Sequence, residues 1–192
     1  MGLEVWKELH PEIVKKHIEQ QVRQSVMKPF ILKYLQKVMK HIRYRFLIDE
    51  DVIKHHSIRN TAIIHYAIMC YLNHPEGWST KGYFFEPVDT HEKVLIRLAM
   101  PKTIKNISGC SENLSCAELG GRFMYLNAHR WFHGSAKSKL NLDDYRQYLI
   151  SHEIGHILGH GHEKCPCKGC NAPIMMQQTL GIGNCKPNTS LE

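Results

Sequence analysis

The segment His152-Glu153-Ile154-Gly155-His156-Ile157-Leu158-Gly159-His160-Gly161-His162 restricts this chain more than any other stretch, because it arranges three imidazoles and a carboxylate around one point. Residues four apart share a helix face, so His152 and His156 reach a single metal ion from successive turns. Glu153 lies one residue round from the first ligand, where a base can take a proton from a metal-activated water. Gly159 has no Cβ and can adopt a left-handed conformation, ending the helix three residues after His156 and turning the chain back. That turn brings His162 to the metal as third ligand. Three neutral histidines with a position left for water form a catalytic pattern, whereas structural zinc is closed by four protein ligands. His160 is out of phase with the ligands and reads as a surface histidine or as a support for them.

Every fixed position of HExxHxxGxxH is filled from His152 to His162, and in this the chain resembles the metzincin clan of zinc metallopeptidases. The clan's second mark, a methionine turn beneath the zinc, is matched in outline by Ala172-Pro173-Ile174-Met175-Met176, with Met175 as the turn methionine and Met176 as the alternative. Astacins and serralysins place a metal-reaching tyrosine two residues after that methionine; here the position is Gln177, a departure that removes the fifth ligand. A closer resemblance, over roughly the last two-thirds of the chain, is to an uncharacterised actinobacterial family of metzincin-like domains. Its matching pieces include Pro75-Glu76-Gly77-Trp78, Val94 to Ala99, Leu114-Ser115-Cys116, Leu126-Asn127, Arg130-Trp131, Tyr145-Arg146, Pro173 to Thr179 and Gly181 to Cys185. These resemblances imply an α+β zincin-like fold: a twisted mixed β-sheet, an active-site helix, a small irregular C-terminal subdomain, and N-terminal helices ahead of them.

The sequence divides in the same place. Residues 1–45 hold ten Lys/Arg against four Asp/Glu, which is most of the net charge of +7. Within them Trp6, Leu9, Ile13, Val14, Ile18, Val22 and Val26 recur at helical spacing. After Lys28-Pro29 a second run follows: Ile31, Leu32, Leu35, Val38, Met39 and Ile42. We therefore read residues 1–43 as a basic amphipathic helical extension and 44–192 as the catalytic domain. A basic face of this kind suits nucleic acid, an anionic membrane surface or an acidic partner, but charge runs are usually solvated faces, and that reading is preferred. Packing on the catalytic domain or dimerisation is a further use. No apolar run approaches the roughly 18 residues of a membrane span, and the N-terminus lacks the short apolar core of a signal peptide.

Beyond the extension, Tyr44 to Ile48, Gly82 to Val88, Val94 to Met100 and Arg122 to Asn127 read as strands, and Ile58 to Leu72 as a helix. The active-site helix is expected to begin at Asn141 as N-cap, with Asp143 and Asp144 on its first turn where the helix dipole favours negative charge. Leu149, Ile150, Ile154, Ile157 and Leu158 are the residues it has available to bury.

Seven cysteines remain. Cys110 with Cys116 and Cys165 with Cys185 match cysteine positions of the resembling family and read as disulfides. Cys167 and Cys170 then form a local CxxC, and Cys70 stays a buried thiol. Disulfides imply an oxidising, extracellular or virion-like setting. The rivals are a second, structural zinc held by Cys165, Cys167, Cys170 and Cys185, although this spacing is not a familiar zinc-ribbon one, and free thiols.

Together these features predict a zinc-dependent endopeptidase with one catalytic ion. His152, His156 and His162 are its ligands and Glu153 its general base, and an extended peptide adds to a sheet edge within Cys110 to Gly120. The alternative is a zincin-like binding module that holds zinc without turnover, its basic helices contacting nucleic acid, membrane or a protein partner.

Overall fold

The computed structural model describes residues 39–191. The helical extension therefore lies outside the described residues up to position 38. At its far end the expected order fails: Ile42 belongs to a strand, β1, which runs Lys40–Ile48 and starts four residues before Tyr44. The reason is visible in the side chains. Ile42, Tyr44 and Phe46 are buried, with His41, Arg43 and Arg45 between them exposed; this two-residue period outweighs the helical one that Ile42 also fits.

Next come two helices, α1 (Glu50–His55) and α2 (Ala62–Leu72), the second starting four residues later than Ile58. A 3-10 turn at Trp78–Lys81 leads into β2 (Tyr83–Pro87) and β3 (Val94–Ala99). The short α3 (Pro101–Lys105) precedes β4 (Cys116–Ala117) and β5 (Phe123–Asn127). The chain then forms α4 (Ala128–His133) and the long α5 (Leu142–Ile157).

The five strands make one mixed sheet in the order β2-β1-β3-β5-β4, an α+β architecture. β1, β2, β3 and β5 are parallel; β4 alone runs antiparallel, at the edge beside β5. One face carries Tyr44, Phe46, Ile96, Leu98, Met124 and Leu126, all buried against α2 and α5 in a single core. On the opposite side of the strands the Arg97 guanidinium bonds Asp49 Oδ1 at 2.7 Å and lies 6.0 Å from the Tyr125 ring.

After α5 the described chain has no further helix or strand, only a bridge between Asn171 and Lys186. Disulfides add covalent ties to its hydrogen bonds, such as those between Asn188 and Gln178 and from the Ala172 amide to Lys186 O. Cys165 is bonded to Cys185 across 20 residues and Cys167 to Cys170, while Cys110–Cys116 closes the loop before β4. The four C-terminal sulfurs are therefore committed to disulfides, and the four-thiolate zinc site is not formed. Cys70 shares no disulfide; it is half-buried rather than fully buried, and burial pushes its thiol up to about 11.

Reduction is expected to lower stability by about 3 kcal/mol through the Cys165–Cys185 loop alone, since the unfolded chain regains the freedom which that bridge removes. Denaturant titrations with and without reductant read the difference, and coincident curves would show that the bridge restrains nothing. Thiol titration of the denatured, unreduced chain should find one thiol.

Candidate metal centre

Helix α5 builds the site, and its ends are set by local chemistry. Asn141 Oδ1 accepts from the Asp144 amide at 2.9 Å, capping the start, with Asp143 and Asp144 in the first turn. At the other end Gly159 takes φ +94°, its amide donates to His156 O, and the His160 amide reaches back to Gly155 O, each at 2.9 Å. This paired arrangement is a Schellman stop. It reverses the chain immediately after the second histidine, as the positive φ of a glycine permits.

The reversal brings His162 against His152 and His156, whose available ligand atoms all lie within 4.8 Å of one another. His152 is 3% exposed, His156 half-buried and His162 exposed, so the cluster opens on one side only. His152 Nδ1 lies 2.9 Å from Ile174 O and His156 Nδ1 2.8 Å from His160 O. A carbonyl can only accept, so both Nδ1 atoms carry the proton and both Nε2 atoms offer a lone pair. His156 Nε2 and His162 Nε2 are 3.1 Å apart, close to the roughly 3.3 Å between two nitrogens at tetrahedral zinc distances. Burial, the largest influence, pushes His152 down to about 4, keeping it neutral as a ligand must be; it also lowers His156. The donor set therefore fits a tetrahedral, nitrogen-preferring divalent ion with one position open.

Glu153 is 4% exposed, and burial alone pushes its carboxyl up to about 8. It faces the same cleft as the histidines, a space of about 360 Å³ between α5 and the Cys110–Cys116 loop with β4. Gln177 and Thr179 close its lower side. His160 points elsewhere and packs on the Trp78 ring at 4.8 Å.

Met175 lies directly under α5, 2% exposed, while Met176 is only partly buried and its carbonyl accepts from Tyr148 Oη at 3.0 Å. Gly155 makes room for Met175: a Cβ there would overlap Met175 Sδ and come within 3.0 Å of both Met175 Cε and Trp78 Cζ2. Gly155→Ala should destabilise the fold by about 1–3 kcal/mol, the usual cost of overpacking. It should also weaken metal binding, because displacing Met175 drags the neighbouring Ile174 carbonyl away from His152. Thermal melts with and without metal measure both, and parent-like values would mean that the turn can retreat freely.

Sequence reasoning gave no role to two residues that shape the cleft. Asn127, 1% exposed, donates from Nδ2 to Glu112 O at 2.7 Å and accepts from the Arg130 amide at 3.2 Å, tying the Cys110–Cys116 loop to the start of α4. The Gly120 amide donates to His156 O at 2.8 Å, anchoring the segment after β4 to the site helix. The sequence offered Gly120 only as the end of the candidate edge region; in the structure it takes φ +66°.

The family model described as "Protein of unknown function (DUF3152)" matches residues 21–189. The chain belongs to this family. No curated protein matches it. Among solved structures, this DUF3152 chain is similar to two of myroilysin. One matches at 16% identity with a TM-score of 0.40, covering 72% of the chain and 50% of myroilysin; the other at 17% and 0.40, covering 69% and 49%. The DUF3152 chain thus spans about half the length of the myroilysin chains.

Proposed function

We propose that this protein is a zinc-dependent endopeptidase, with His152, His156 and His162 as metal ligands and Glu153 as general base. The observation that carries the reading is the convergence of three ligand-competent imidazoles at the open side of a cleft that also receives a buried carboxylate. Bound zinc would supply Lewis acidity toward water and toward a scissile carbonyl. Glu153 takes the proton of the attacking water and delivers it to the departing amine nitrogen. Its apolar surroundings favour the neutral form it reaches between those two transfers.

β4 orients the substrate. Its partner β5 occupies one side only, so an extended peptide can add along the free edge above α5 and cross the histidine cluster. Met175 acts as the floor that fixes His152 through Ile174 O. Disulfides around the cleft and under the site suit an oxidising environment. Incubation with an unbiased peptide library tests the reading: cleavage should disappear on chelation and return with zinc. The rival module, which holds zinc without turnover, would give one ion per chain and no cut peptide.

A further inference from the structure

A second concentration of imidazoles lies where α1 and α4 meet, away from the cleft. His129 and His133 stand four apart on α4 with ring centroids 4.8 Å apart, the same separation as His152 and His156 on α5. Both are exposed, where an imidazole contributes little to packing. His56, at the end of α1, stacks on Phe132 with centroids 3.9 Å apart and an interplanar angle of 24°, and its ring lies 6.2 Å from His133. His55 lies edge-on beside it at 4.8 Å.

We propose that His129 and His133, with His56 as third ligand, form a second site for a zinc-, copper- or nickel-class divalent ion. The spacing on α4 already suits two-point capture by imidazole nitrogens, which these metals prefer. In the first cluster the ring centroids are 4.7–5.4 Å apart, so His56 needs a side-chain rotation to close from 6.2 Å. An ion bound there would link the elements that follow β1 and β5, and none of these residues lines the catalytic cleft. The site is independent of the proposed peptidase activity.

The test is zinc titration of the full chain with its disulfides intact, after removal of metal, with bound ions counted at saturation. The His129→Gln/His133→Gln variant, changed only at exposed positions, should bind one ion fewer than the parent. His56→Ala should weaken the same ion by at least the roughly 10–100-fold typical of losing even a supporting partner. The His152→Ala/His156→Ala variant should keep the second ion, so failure of the first site and failure of this one are told apart. An equal ion count in parent and His129→Gln/His133→Gln would overturn the proposal.

Discussion

Glu153→Gln should keep its metal and its fold while peptide hydrolysis falls by roughly 100-fold or more, the scale associated with loss of a general base. The substitution is nearly isosteric and removes only the ability to accept a proton, so the buried environment of position 153 stays filled. In the parent, desolvation alone places the carboxyl near 8. A dication on the three histidines brings it down, because a nearby opposite charge favours the carboxylate. Hydrolysis by the loaded parent should therefore decline as pH falls through this lowered pKa and the base becomes protonated. The comparison is made at equal metal content, and a Glu153→Gln variant as active as the parent would remove Glu153 from the mechanism.

What the sequence revealed follows the range of the forces involved. The bounds of α5 were legible because Asn141 and Gly159 act within one turn of themselves, through a side-chain cap and a left-handed residue. Two cysteine pairs, Cys110–Cys116 and Cys165–Cys185, were legible through their match to family positions, and Cys167–Cys170 through its local CxxC spacing. The strands β2, β3 and β5 appeared within a residue or two of their expected limits, since short apolar runs between turns state their own ends. β1 was misjudged at its start because Ile42 satisfies two periods at once, and only burial of Tyr44 and Phe46 on the same face decides between them. Helices α1, α3 and α4, of five or six residues each, are too short for a periodic signal.

The site divides along the same line. The spacing of the three histidines is written into one helix and its stop, but the contacts that hold them arrive from far along the chain. Trp78 reaches α5 across 73 residues, its Nε1 donating to Ser151 O at 2.8 Å. Ile174 reaches His152 across 22. Gly155 illustrates the gap well: inside a helix it looks like a defect, costing about 1 kcal/mol relative to alanine. Only the packed structure shows Met175 occupying the space where its side chain would be.

Metal content per chain decides the ligand set when measured in four variants, His152→Ala, His156→Ala, His162→Ala and His160→Ala, at zinc levels that fill only the tightest site. Each of the first three removes one imidazole of the cluster, leaving two protein donors where a catalytic zinc site uses three. His160 contributes its backbone carbonyl to His156, which alanine preserves, and its ring packs on Trp78 outside the cluster. The first three variants should lose the ion, and His160→Ala should keep near-parent zinc. Equal loss in His160→Ala, or full retention in His162→Ala, would show that His152, His156 and His162 are not the ligand set.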